Sequence, residues 1–320
     1  MAQSCKASVL HGPKDLRPED RILNLPGPKE LQIAIQATTL CGSDLHYYKH
    51  YRNGDIQVQE PLSLGHESAG MVLAVGSQAE GFRRGDRVAL EVGLPCEECE
   101  RLPDHVSFDV GALLEPLSVA IHATRRAQIT DGSSVLILGA GAIGLLCAAV
   151  SKVTGSGHVT IADIQQNRVA FATSRGFADS GVTTPLKQGH NIEEKLEIAK
   201  ETAALACQRL ETEAGSKGAF DATRPGGKVV IVGMGNPVQK IPISAAALRE
   251  VDIVGTFRYA NTYSEAIQIV AGPNSLLPDL TQLITHRYHG LAEVDRAFKM
   301  AGRSHDEASK IVLKVMVETE

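Results

Sequence analysis

The segment Cys41-Gly-Ser43-Asp-Leu-His46-Tyr47 places a thiol, a hydroxyl, an imidazole and a phenol on one short stretch, and Gly65-His66-Glu67 follows downstream. A catalytic zinc takes three or four nitrogen, sulfur or oxygen ligands and keeps one position for water or substrate. Cys41, His66 and Glu67 offer one donor of each kind. Either fragment alone would be ordinary, because a single Cys or His is more often a core or surface residue. His46 reads equally well as an exposed loop histidine. Taken together, and placed ahead of a nucleotide fingerprint, the two fragments predict a metal that activates a hydroxyl.

That fingerprint is Gly139-x-Gly141-x-x-Gly144, between the apolar run Ser134-Val-Leu-Ile-Leu and an Ala/Leu-rich helical stretch. Gly139 would turn the chain tightly, Gly141 would let the backbone approach a pyrophosphate, and Gly144 would let helix and strand pack closely. The pyrophosphate would rest on the helix N-terminus. Asp163 closes the next strand, Val159-Thr-Ile-Ala-Asp163, about twenty positions after the last glycine, as a ribose-binding acid does. Its carboxylate accepts from both ribose hydroxyls and repels a 2′-phosphate, which predicts NAD over NADP. Arg168 nearby is the one residue that could accommodate such a phosphate.

These residues need elements to hold them. Up to about Val119 the pattern is short β-type runs (Ala7–Leu10, Leu31–Ile35, Gly70–Val75, Arg87–Val92) separated by Gly, Pro and Asp turns. From Ser133 the rhythm changes to strand, glycine turn, helix, strand, the pattern of a parallel doubly wound sheet, with further strands at Lys228–Val232 and Asp252–Gly255. A helix at Ser264–Val270 and a last strand at Ile311–Val315 complete the expectation. The size, 320 residues, allows about two domains. Net charge is −5 without a dense Lys/Arg run, so neither nucleic acid nor an anionic membrane is an expected partner. No apolar stretch is long enough to span a bilayer, and six cysteines are too few for a disulfide scaffold, so a soluble cytoplasmic protein is expected. Cys5, Cys147 and Cys207 carry no ligand spacing and read as small core hydrophobes.

Cys41-Gly-Ser-Asp-x-His46, Gly65-His-Glu-Ser-Ala-Gly70, Gly85-Asp-Arg-Val88, Leu114-Glu-Pro-Leu117 and Phe257-Arg-Tyr259-x-Asn-Thr262 together resemble the sorbitol dehydrogenase branch of the zinc-dependent medium-chain dehydrogenases, especially its fungal-type sorbitol and xylitol members. The resemblance implies an α/β protein with a GroES-like catalytic domain (1–120 and 264–320) and a Rossmann NAD-binding domain (121–263). It implies one catalytic zinc on Cys41 and His66, with Glu67 and Glu115 as carboxylate ligands directly or through water. Glu115, standing before a proline, could instead simply cap a helix. Tyr47, Glu115, Arg258 and Tyr259 would hold polyol hydroxyls, while Ile143, Asp163, Arg168, the Val232-Gly233-Met234 turn and Phe257 would line NAD. The implied reaction oxidises a secondary hydroxyl to a ketone with hydride transfer to NAD. Glu67 or Glu115 would take the proton first, and Ser43 and His46 would relay it outward. A homo-oligomer, tetrameric by the same likeness, is expected.

Two places depart from the family. Cys96-x-x-Cys99-Glu100 begins what in relatives is a four-cysteine structural-zinc lobe, but no third or fourth cysteine follows, so no second zinc is expected. Near Phe220-Asp221-Ala222-Thr223-Arg-Pro-Gly-Gly a strand and helix of the relatives are skipped. That strand would lie beside the fingerprint strand, so the Rossmann sheet is expected to be incomplete, each unsatisfied buried backbone group costing about 1–3 kcal/mol. A non-catalytic zinc- or nucleotide-binding remnant is therefore a second expectation. A zinc enzyme acting on a simple alcohol or on threonine is a third, which the cation and phenol of Arg258-Tyr259 disfavour.

Overall fold

A computed structural model describes residues 3–91, 101–184, 191, 193–194, 197–198, 201, 222–233 and 241–319. The Cys96/Cys99 pair, Cys207, Phe220-Asp221 and Met234 lie outside the described residues. From the N-terminus run β1 (Gln3–Gly12), β2 (Asp15–Leu23), β3 (Leu31–Thr39), α1 (Gly42–His50), β4 (Glu67–Val75), β5 (Arg87–Leu90) and α2 (Leu114–Ala127). There follow β6 (Ser134–Leu138), α3 (Ala142–Val153), β7 (His158–Asp163), α4 (Gln166–Ser174), β8 (Ser180–Thr183), β9 (Lys228–Val232) and β10 (Asp252–Thr256). The chain ends with α5 (Tyr263–Ala271), β11 (Ile284–His289), α6 (Val294–Ala301) and β12 (Lys314–Glu318). It divides into two compact units: Met1–Glu115 with Tyr263–Gly272 and Asp279–Glu320, and Pro116–Thr262 with Pro273–Pro278.

In the first unit a five-stranded mixed sheet runs in the order β11-β12-β3-β4-β5. Leu10, Leu40, Tyr48, Val294, Phe298, Val312, Val315 and Val317 share one buried core cluster. The Tyr48 hydroxyl donates to Asp295 at 2.7 Å and so ties α1 to α6. A Cβ on Gly70 would lie 2.2 Å from the Ala34 carbonyl oxygen, so only glycine permits the close β3–β4 approach beside the bulge between Ile35 and Ala37.

Three features differ from the sequence reading. The segment carrying His46 is the helix α1, not a loop; the Asp44 carboxylate accepts the Cys41 N–H at 3.1 Å and caps it. The ribbon partner β2 went unread because its sequence, DLRPEDRIL, is mostly charged and faces water; pairing with β1 holds it. The last strand begins at Lys314 rather than Ile311. Asp306 takes the Ala308 and Lys310 N–H groups and Thr285 Oγ1 takes that of Leu313, so these donors serve a turn instead of a ladder.

The second unit carries the parallel strands in two pieces among the described residues, β8-β7-β6 and β9-β10. Val159, Thr160, Ile161 and Ala162 of β7 are buried, as befits a strand flanked on both sides. Among the described residues β6 pairs with β7 alone, and Leu138 is 53% exposed, with Ile231 and Val232 of β9 at 37% and 38%.

Lys152, in the last turn of α3, pairs with Asp179 at 2.9 Å just before β8. Burial raises the Asp179 carboxyl, but Lys152 and the Val159 N–H outweigh it and leave the pKa below the ordinary carboxylate value. A depressed carboxylate contributes stability that is present above its unfolded pKa and lost as pH falls through its folded one. Asp179→Asn is therefore expected to lower stability at neutral pH, and its denaturation curve should converge with that of the parent between about pH 5 and pH 2. Denaturant melts at stepped pH check this, and a pH-independent difference would exclude it.

Candidate active site

The site grows out of strand register in the first unit. Thr39 at the end of β3 stands opposite Glu67 at the start of β4 and opposite Met316 of β12. The Leu40 N–H donates to Val315 O at 2.9 Å. The chain then turns into α1 with Cys41 at its N-cap, while His66 immediately precedes β4. The ligand atoms of Cys41, His66 and Glu67 consequently lie within 4.8 Å of one another. Small side-chain adjustments would let one ion with bonds of about 2.0–2.3 Å reach all three.

Asp44 organises the imidazole. It is 2% exposed and accepts from Cys41 N at 3.1 Å, Gly65 N at 3.3 Å and His66 Nδ1 at 3.1 Å. His66 Nε2, 3.4 Å from Ser43 Oγ, is the nitrogen left for a metal. Burial alone would push the His66 pKa down, but hydrogen bonds and charge from Asp44 and Cys41 raise it to about 11. Glu115, in the first turn of α2, is buried and pushed up to about 7, chiefly by desolvation and then by the charge of Glu67. It lies outside the 4.8 Å group but faces the same charges. A divalent cation among Cys41, His66 and Glu67 would replace the His66 proton and compensate the buried carboxylates, so this donor set fits zinc.

Glu67 is fully buried, and Lys314, 4% exposed, pairs with both of its oxygens. The Thr39 hydroxyl donates to the same carboxylate, and Lys314 also reaches Leu40 O at 3.4 Å. Burial disfavours the Lys314 charge, but Glu67, Cys41 and Glu115 more than offset this and raise its pKa. Sequence reasoning missed Lys314, Thr39 and the role of Asp44. A lysine inside the apolar run Ile311-Val-Leu-Lys-Val was the available signal, since a charge in such a strand needs a buried partner.

Two other expected site residues of this unit, His46 and Tyr47, lie outside the donor group of Cys41, His66 and Glu67. His46 is exposed on α1 with its ring 6.1 Å from that of His50. Tyr47 packs against the core cluster.

In the second unit the fingerprint has the expected local shape. Gly139 has φ +102°, and a Cβ on Gly144 would sit 1.8 Å from Gly139 O. A Cβ on Gly141 would meet only the Arg168 guanidinium, at 3.9 Å, and no side chain caps α3 there. An open, uncapped helix start beside a guanidinium suits a pyrophosphate. Asp163 accepts from Ala140 N at 2.7 Å and Gln165 N at 2.8 Å, which aims it at the loop while leaving lone pairs for a ribose. Ile143 is half-buried in the first turn of α3, and Gly233, with φ +94°, follows Val232 at the end of β9. Past β10, Phe257 is 58% exposed with the Arg258 guanidinium 5.4 Å from its ring centre. Arg258 and Asn261 both occupy the left-handed region, at φ 49° and 52°. Such conformations cost about 1–3 kcal/mol and persist only where the surroundings impose them. Arg125 and Arg126 of α2 hold the two sides of this segment by donating to Asn261 O and Gly255 O, each at 3.0 Å. Tyr259 is half-buried within this segment.

Two protein-family models match the chain, the alcohol dehydrogenase GroES-like domain over residues 27–116 and the zinc-binding dehydrogenase domain over residues 142–272. The sorbitol dehydrogenase of Bos taurus is 35% identical over 352 positions, covering 98% of this chain and 95% of its own length. That of Homo sapiens is 36% identical over 320 positions, covering 88% of each. The bovine alignment is longer than this chain, so the relative carries segments with no counterpart here. A solved oxidoreductase/dehydrogenase of unknown specificity from Escherichia coli superposes with TM-score 0.83 at 25% identity, covering 99% of this chain and all of that one.

Purified protein is expected to carry a single zinc ion per chain by atomic absorption, and Cys41→Ala and His66→Ala are each expected to lose it while retaining native circular dichroism. Full zinc occupancy in both variants would show that the metal sits elsewhere.

Proposed function

Because the chain belongs to the zinc-dependent sorbitol dehydrogenase family of medium-chain dehydrogenases, we propose that it oxidises one secondary hydroxyl of a polyol such as sorbitol or xylitol to a ketose and passes the hydride to NAD. The observation that carries this reading is the convergence of Cys41, His66 and Glu67 on one small volume. In the same chain, an open glycine loop is completed by Asp163. Zinc held there would supply Lewis acidity that lowers the pKa of a bound hydroxyl, and NAD would supply the hydride acceptor.

The protein's own groups do the rest. Cys41 and His66 hold the ion, with Asp44 fixing which imidazole nitrogen faces it. Glu115, with a pKa raised to about 7, is suited to take the hydroxyl proton near neutral pH. Ser43, 3.4 Å from the imidazole, is the nearest hydroxyl for passing that proton on, and exposed His46 is a further outward step. Gly139, Gly141 and Gly144 cradle the pyrophosphate, Asp163 binds the ribose, and Ile143, Arg168, Val232 to Met234 and Phe257 line the cofactor. Arg258 and Tyr259 select a polyhydroxylated substrate. The cytoplasm is the proposed location, supported by the absence among the described residues of any helix long and apolar enough to cross a membrane. A homo-oligomer, tetrameric by family likeness, would cover apolar surface such as Leu248 and Ile243, 87% and 58% exposed.

A second reading, a non-catalytic zinc- or nucleotide-binding remnant, is favoured by the two-piece parallel sheet and by the segments present in the bovine relative but not here. Mixing the zinc-loaded chain with NAD and sorbitol, xylitol or arabinitol separates the two. NADH absorbance is expected to rise, and Tyr259→Phe is expected to raise KM about tenfold, the value of one hydrogen bond of about 1–1.5 kcal/mol. Folded, zinc-loaded protein that gives no NADH with any of the three would support the remnant instead.

A further inference from the structure

We propose that His46 and His50 form a second metal site on the surface of α1, which takes one zinc ion between the two imidazoles and, when filled, withdraws His46 from the outward proton route. The binding half of this inference stands on the helix alone, and the inhibitory half rests on the proposed function. The two histidines are four positions apart in α1, so they are neighbours on one helical face. Paired histidines at that spacing are a recurrent way for a helix to hold zinc. Both residues are exposed, and their ring centres stand 6.1 Å apart. Two imidazoles bound to one tetrahedral zinc at about 2.0–2.1 Å have ring centres about 5 Å apart. A small rotation about the side-chain bonds therefore brings a nitrogen of each ring to one ion, with water filling the remaining positions.

The opposite face of α1 holds this pair in place. Asp44 and Tyr48, also four apart, are 2% and 3% exposed. Asp44 caps the helix at Cys41, and Tyr48 packs its ring 4.9 Å from that of Phe298 while its hydroxyl donates to Asp295. The Tyr48 carbonyl accepts the Lys14 N–H at 2.6 Å. A platform fixed in this way spares an ion the cost of ordering the backbone. His50 lies in the last turn, where the helix dipole favours a cation. Lys49, the positive charge beside the pair, has its ammonium at the end of α6, 3.1 Å from where a Cβ on Gly302 would stand. An imidazole relays a proton by accepting it on one nitrogen and releasing it from the other. Zinc on either nitrogen of His46 stops that exchange. Two ligands on an exposed surface bind more weakly than the three donors at Cys41, His66 and Glu67, so the site fills only when free zinc is raised and purified protein still carries one ion.

The test starts from protein carrying one zinc ion per chain and dialyses it at pH 8 against buffered free zinc rising through the micromolar range, alongside His46→Gln and His50→Gln. A second ion per chain is expected in the parent. Each variant should bind it at least about tenfold more weakly, because the second imidazole acts at the high effective concentration its position gives. With sorbitol and NAD, the same zinc should lower kcat of the parent at least about tenfold, a modest share of the about 10²–10⁴ that positioned proton transfer contributes. His50→Gln should match the parent without added zinc and keep its rate when zinc is added. No second ion in the parent, or a second ion held equally by both variants, overturns the site. A second ion that needs both histidines yet leaves kcat unchanged overturns the link to the proton route. Protein that takes up the second ion as expected but never forms NADH sinks the proposed function, and the inhibitory half with it, while the site itself stands.

Discussion

Burying ionised groups together is tolerable only if their charges balance, and this constraint governs the first unit. Asp44, Glu67, Glu115 and Lys314 are each less than a tenth exposed, and Cys41 and His66 stand among them. Three carboxyl groups and a thiol face one ammonium. Removing a carboxylate from water without compensation costs several kcal/mol, so the remaining negative charge must be met by protons or by a metal. The raised pKa values of His66 and Glu115 are the protonic answer to that imbalance. A divalent ion is the alternative, and it would use the same donors.

Balance of this kind requires register. In a strand a slip of one residue carries every side chain to the opposite face. A slip of β4 against β3 would point Glu67 away from Lys314 and leave both ions buried without partners. The bulges within β3 and the close contact enforced at Gly70 pin the pairing. Thr38 and Ser68, whose hydroxyls meet at 2.9 Å, mark the same register one step along. Asp44 serves two ends at once, capping α1 and orienting His66, so helix start and imidazole cannot move independently.

What could be read from the sequence was chemistry carried by local spacing. Cys41, His66 and Glu67 could be singled out because unusual donors recur at short intervals, and the glycine loop because each glycine answers a separate steric demand. Helices α3 and α5 and strands β9 and β10 followed from apolar periodicity. Lys314 could not be paired with Glu67 from spacing, since 247 positions, the whole second unit among them, separate the two and only the sheet order β12-β3-β4 brings them together. β2 was illegible for the opposite reason, as a charged ribbon exposed to water has no apolar alternation to reveal it. Glu115 was read as either ligand or cap; it lies in a helix's first turn, outside the group of Cys41, His66 and Glu67, and its carboxyl is raised by burial and by the Glu67 charge.

The division of the parallel sheet bears unequally on the two ends of a dinucleotide. β6 is the more apolar of the two strands and yet the more exposed, so the difference in burial lies in the neighbours rather than in the strands. Gly139, Gly141, Gly144 and Asp163 all belong to β6, α3 and β7, the better-supported side, and their contacts with one another are complete without a further strand. Val232, Gly233 and Phe257 belong to the two-stranded piece, where Ile231 and Val232 stay partly exposed. A pyrophosphate and its adjoining ribose would therefore meet a formed site. Among the described residues the groups that follow β9 and β10 rest on a two-stranded piece and so have less packing behind them.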